Sequence, residues 1–88
     1  MLYRIHTEDM NRDRIIELVS RYYDGFTVIP VIGLWEGVQE KSLIIEIVSR
    51  SLVDIAVVEG IATAIRLLNN QDAVMVTRTT ADMGMNRG

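Results

Sequence analysis

The chain has 88 residues, 49% of them hydrophobic, with a formal net charge of −3, one histidine and no cysteine. A chain this length forms one domain, expected over residues 1–88 with 79–88 as a C-terminal tail. The lack of cysteine excludes disulfides and thiolate metal sites, and the nine scattered basic residues lack the electrostatic footprint of a nucleic-acid binder.

Leu2 to Glu8 alternates in polarity and reads as a half-buried strand. Tyr3, Ile5 and Thr7 share one face; Leu2, Arg4, His6 and Glu8 share the other. Asp9 or Asn11 then suits a helix N-cap, where a side-chain oxygen accepts a free backbone N–H. Ile15, Ile16, Leu18, Val19, Tyr22 and Tyr23 recur at helical spacing opposite Arg12, Asp13, Arg14, Glu17 and Arg21, an amphipathic helix. Tyr22 and Tyr23 are expected to pack one in and one out. Asp24-Gly25 ends the helix, with Gly25 suited to a left-handed C-terminal position.

Phe26 to Trp35 is rich in β-branched residues and apolar on both parities. Pro30 cannot donate to a ladder, which places this strand at an edge or a bulge. Gly33 signals a bulge or a close backbone approach. Trp35-Glu36-Gly37 makes the turn, or begins a longer hairpin loop through Gln39. Lys41 to Ser49 is the next strand, with Leu43, Ile45 and Ile47 on one face and Ser42, Ile44, Glu46 and Val48 on the other.

Ser51 with Asp54 resembles a capping box and opens a helix to about Leu68. That helix is apolar almost all round, the pattern of burial on more than one side. Gly60 inside it lets another backbone or subunit come close. Asn69-Asn70 ends it, because Asn tolerates the left-handed conformation. Val74 to Thr79 is the last strand. The polar tail, Thr79 to Gly88, is expected to dock through Met83 and Met85.

The order β-α-β-β-α-β, with two apolar helices, predicts an α+β ferredoxin-like fold. Its antiparallel sheet has four strands, the helices cover one face, and the first and third strands are central. A chain this short buries only roughly 60–65% of the surface it exposes when unfolded. Surplus apolar area on a small domain marks an interface, so a homo-oligomer, dimer or trimer, is expected. The N-terminus, MLYRIHTEDMNRD, lacks the apolar run of a secretory signal. The longest apolar segment, Leu52 to Leu68, carries Asp54, Glu59 and Arg66 and is too short and charged to span a bilayer. The expected location is cytoplasmic, in the cell or an infected host.

The segment Gly25 to Val48 and the later Asn69-Asn70-Gln71-Asp72-Ala73-Val74 resemble a group of small phage and bacterial proteins. The motif that carries this is Gly33-x-Trp35-x-Gly37-x-x-Glu40 followed by Ser42-Leu43-x-Ile45-Glu46, and the resemblance spans Tyr3 to Thr79. The long hairpin with its Trp-x-Gly corner is also similar, more loosely, to CutA and PII-like proteins. That likeness implies a ferredoxin-like oligomer and, for PII-like members, nucleotide binding between subunits. The chain has no counterpart of the PII regulatory loop.

The residues themselves supply little catalytic equipment: one His, no Gly-rich phosphate loop, and no nucleophile with a base in reach. His6 with Glu8 is either half of an acid–base or metal site or two polar residues on an open face. Arg4, His6 and Glu46 are expected to meet across strands, with Arg78 joining if its parity on the last strand matches. Such a mixed group binds an anion or makes a salt-bridged oligomer contact. Trp35 either stacks on a flat ligand or anchors an interface. The reading is a non-enzymatic, phage-associated oligomer that binds a small anionic or nucleotide-like ligand between subunits, lined by Arg4, His6, Trp35, Glu46 and Arg78. No cofactor and no metal are expected. The alternatives are a protein–protein interaction module, inhibitor or structural part, and a minor enzyme using His6 and Glu8.

Overall fold

The computed structural model describes residues 1–49 and 54–80, apart from the Trp35 side chain. The elements run β1 (Leu2–Glu8), α1 (Arg12–Ser20), β2 (Thr27–Trp35), β3 (Val38–Val48), α2 (Asp54–Leu68) and β4 (Met75–Thr79). The sheet order is β2-β3-β1-β4, and all three pairings are antiparallel. This is the α+β ferredoxin-like arrangement, with β1 and β3 central. The expected docking of the tail through Met83 and Met85, and the Ser51 cap, lie outside the described residues.

Alternation decides the core. Tyr3, Ile5, Leu43, Ile45 and Ile47 are fully buried under Ile15 and Val19 of α1 and Val58, Ile61 and Ile65 of α2. The register explains why these two strands cooperate: Ile5 pairs with Ile45, Tyr3 with Ile47 and Thr7 with Leu43, so one face of both strands is apolar. A slip of one residue would turn every one of these side chains towards solvent.

α2 buries one stripe only. Val58, Ile61, Ala62 and Ile65 point inward, while Leu67 is two-thirds exposed and Gly60 faces open space. Its second apolar side therefore has no cover among the described residues. α1 ends at Ser20, before the two tyrosines, in a tight turn in which the Arg21 N–H reaches the Leu18 carbonyl. The expected left-handed Gly25 is absent: among glycines of the described residues, positive φ occurs at Gly37. Tyr23 packs against the core and Tyr22 points outward, one in and one out. Burial, with Asp54 nearby, pushes the Tyr23 hydroxyl above its ordinary pKa.

The hairpin is tighter than a loop through Gln39. Trp35 pairs directly with Val38 across a two-residue turn, Glu36 at φ 49° and Gly37 at φ 79°. Two consecutive left-handed residues are the type I′ turn, whose twist matches that of the strands it joins. β3 begins at Val38, but β1 pairs only with its Ser42–Val48 portion. Val31 to Lys41 therefore projects past the end of β1 as a two-stranded arm. The molecule is correspondingly elongated, 42 × 26 × 21 Å.

β2 is an edge strand, as Pro30 requires. The ladder continues through Gly33, which pairs with Glu40, so no bulge forms there. A Cβ at Gly33 would meet only the Ser42 Oγ at 3.6 Å, an ordinary contact, and the Glu40 carbonyl oxygen at 3.9 Å. Among the described residues, no close approach calls for this glycine.

Candidate functional site

The open face of the sheet carries the polar group expected from β1 and β3. Arg4 pairs with Glu46 in register, and its Nε donates to a Glu46 carboxylate oxygen at 3.0 Å. His6 is the next position along that face, opposite Ile44 on β3 and Met75 on β4. The structure thus brings Arg4, His6 and Glu46 together.

Arg78 does not join them. Directly paired residues of neighbouring strands share a face, and Arg78 pairs with Tyr3 while Thr77 pairs with Arg4. The parity that reaches the open face is Met75, Thr77 and Thr79. Val76, opposite the buried Ile5, turns inward and packs against the core, which carries Arg78 to the helix side. Trp35 sits at the far end of the arm, on the last rung before the turn. The five expected lining residues therefore form one group of three and two separate positions.

A concavity lies at the corner where the arm leaves the sheet, and of those five residues His6 is the one that lines it. This open cavity of about 850 Å³ has His6, Thr7 and Glu8 from β1 on one side. The β2–β3 hairpin contributes Val31, Gly33, Glu40 and Ser42, and Met75 closes the β4 side. The remaining wall is the loop from Asn70 to Ala73.

A hydrogen-bonded post holds that loop in place. Asn69 is 5% exposed. Its Oδ1 accepts from Asn11 Nδ2 at 2.9 Å, and its Nδ2 faces Thr7 Oγ1 and Gln71 Oε1, each at 3.4 Å. Thr7 Oγ1 donates to Gln71 Oε1 at 2.5 Å. The end of α2, the start of α1 and the buried face of β1 are thereby tied at one point. Asn70, at φ 52°, supplies the left-handed residue. The Gln71 N–H reaches the Arg66 carbonyl at 2.9 Å and the Asn70 N–H reaches that of Leu67 at 3.3 Å, the two bonds of a Schellman stop.

Asn11 differs from its expected role. It is the N-cap residue, but at φ 55° it is left-handed rather than in the extended conformation of a capping residue, it makes no side-chain cap bond, and its Nδ2 donates to Asn69 instead. Asp9 instead takes the Arg12 guanidinium at 2.6 Å. That hydrogen bond holds the Asp9 carboxyl below the usual carboxylate range.

The chemistry of the corner follows from its lining. Three carboxylates, Glu8, Glu40 and Asp72, and one imidazole face it, with no guanidinium or ammonium among the lining residues. Phosphate oxygens would meet a field of their own sign. Arg4 is already engaged by Glu46, and Arg78 lies on the opposite face. No hydrogen bond joins His6 to Glu8 among the described residues, so the pair lacks the oriented contact of a general base and its partner. No three His, Asp or Glu side chains among the described residues are placed to hold a metal ion. Among the same residues, no helix is long and apolar enough to cross a membrane.

Sequence reading placed His6, Glu8 and Ser42 on this face by strand parity. It missed the arm's Glu40 and the loop's Gln71 and Asp72. Glu40 follows from pairing the arm through a two-residue turn, which aligns it with Gly33. The loop carries no comparable signal, since its position depends on bonds to Thr7 and Asn69 far away in the chain. The chain matches no protein-family model, and no curated protein matches it in sequence.

Proposed function

We propose that this chain is a non-catalytic binding protein that acts as a homo-oligomer, with the corner cavity as the place where a small ligand is held. The observation that carries the reading is the bare apolar arm. Ile32 is 71% exposed, Leu34 70% and Val38 63%, all on one short hairpin that projects beyond the sheet. Apolar side chains at such density on so small a domain are matched best by a protein surface. The half-exposed Met75 and Val48 and the outward Leu67 extend the same pattern.

An anionic or nucleotide-like ligand needs basic groups, and the described residues of one copy bring none to the cavity. This reading therefore puts such a ligand at a boundary between copies, with cations supplied from the neighbour. The same cavity, left to its own carboxylates, favours a cationic or neutral hydrogen-bonding guest. The second reading, a module that docks a different protein, rests on the same arm. Turnover by His6 and Glu8 has the least support, because no hydrogen bond among the described residues orients the imidazole.

Native mass spectrometry of gently purified protein tests the proposal. The expected spectrum is an oligomer, with or without added small-molecule mass. A bare monomer under all gentle conditions would refute it.

A further inference from the structure

We propose that the free edge of β2 pairs antiparallel with the same edge of a second copy, on a two-fold axis at Gly33. This rests on the self-association reading above and specifies its partner surface.

The edge is asymmetric along its length. Trp35 and Val38 close a two-residue hairpin, so they form a hydrogen-bonded pair, and the pairs alternate from there. Gly33–Glu40, Val31–Ser42 and Ile29–Ile44 are then bonded within the hairpin. The N–H and C=O groups of Leu34 and Ile32 point the other way, towards solvent. Pro30 occupies the next outward position. Its missing N–H removes an edge donor and leaves the β2–β3 ladder intact, so the inner half of the edge is blocked. The open stretch runs from Val31 to Trp35.

That stretch is self-complementary. Antiparallel pairing centred on Gly33 sets each Ile32 against Leu34 of the second copy, and both residues present their donors and acceptors outward. Four backbone hydrogen bonds result. Ile32 and Leu34 of both copies then lie on one face of the joined sheet, as an apolar cluster that covers the most exposed large apolar side chains among the described residues. Gly33 meets its own copy at the axis, where a missing Cβ lets the two backbones approach freely. Among the described residues, no contact within the chain accounts for that glycine.

Charge does not oppose this register. The row through the axis reads Glu40, Gly33, Gly33 and Glu40, which keeps the two carboxylates about 14 Å apart at the usual strand spacing. That exceeds the screening length of about 8 Å in physiological salt. The flanking rows end in Lys41 on one side and Gln39 on the other. The turn, with Glu36, passes the blocked Pro30 of the neighbour. An unrelated peptide strand would fit the backbone but would lack this match on both sides of the axis. The buried area is that of a small interface, below about 1,200 Å², so the dimer is expected to dissociate in the micromolar range. The neighbour's arm also extends the wall of each corner cavity at Val31 and Gly33.

Ile32→Pro deletes one outward donor per copy and spares the internal ladder, as Pro30 already does. Leu34→Lys places a charge in the cluster and serves if the proline variant folds poorly. Sedimentation velocity across micromolar concentrations should show a wild-type dimer, and a dissociation constant raised about tenfold or more in each variant. Ile44→Asp, on the open face of the sheet, should leave the dimer intact. Dimers that survive both edge variants overturn the proposal. If Ile44→Asp alone abolishes them, self-association stands and this edge is the wrong surface. A wild-type monomer throughout overturns the edge pairing and the oligomer reading together.

Discussion

Ile45→Ala is expected to remove about 2–5 kcal/mol of stability, a large loss for a single truncation in so small a chain. Ile45 is fully buried on a central strand, paired with Ile5 on one side and Val28 on the other. Domains of this size are stable by only about 5–15 kcal/mol. A shift of 1 kcal/mol moves the midpoint of a small domain by about 4–8 °C. The variant should therefore melt on the order of 10–30 °C lower, or fail to fold at elevated temperature. Thermal denaturation followed by circular dichroism reads this directly. Ile44→Ala, one position along but on the other face, is the control and should cost much less. Equal losses at the two positions would contradict the register of β1 against β3.

The second large effect is expected at Asn69→Leu, which keeps the volume and removes the amide. Thr7, Asn11 and Gln71 all lose a partner; Thr7 is buried and keeps its bond to Gln71, Gln71 is half-buried and Asn11 is exposed. A buried polar group that loses its partner costs about 1–3 kcal/mol, and the cost here falls on Thr7 and the loop it holds. The chevron or urea midpoint should fall accordingly. The loop from Asn70 to Ala73 should also loosen, since it is held to β1 through this residue. Asn70→Gly is the useful contrast: at φ 52° glycine is at least as comfortable as asparagine, so stability should hold or rise slightly. A neutral Asn69→Leu would show that the post does not support the cavity wall.

Much of this architecture was legible because burial on one face leaves a periodic trace. Tyr3, Ile5 and Thr7 against Arg4, His6 and Glu8 is an unambiguous alternation, and Leu43, Ile45 and Ile47 repeat it on β3. β4 was not legible in the same way. Its two parities, Val74, Val76 and Arg78 or Met75, Thr77 and Thr79, are similar in apolar content. Packing of Val76 under the helices resolves the choice and takes Arg78 away from Arg4. A short edge strand offers too few buried positions to mark its inner face.

The candidate site was less legible than the fold, for a different reason. The corner cavity is made by an overhang and a loop, and neither is a local property. The overhang depends on β1 stopping at Glu8 while the hairpin continues to Trp35, a difference in strand length that shows only once the register is known. Asn11 looked like a helix cap from its position alone, but its side chain answers to Asn69, 58 residues away. Polar residues near helix ends invite local explanations, and long-range partners override them here.

The two-sided apolar character of β2 was the clearest functional signal in the sequence, and the structure gives it a shape. Val28 turns inward and packs against the core, while Ile32 and Leu34 continue the same parity past the helices into solvent. One strand thus begins as part of a core and ends as uncovered surface. Pro30 separates the two parts.

The most direct measurement is amide hydrogen exchange at Ile32 and Leu34, followed at low and high protein concentration. In a lone chain these two N–H groups point away from β3 and have no ladder partner. Edge pairing with a second copy predicts slow exchange at both positions at high concentration, returning to fast exchange on dilution. Fast exchange at every concentration would contradict the account.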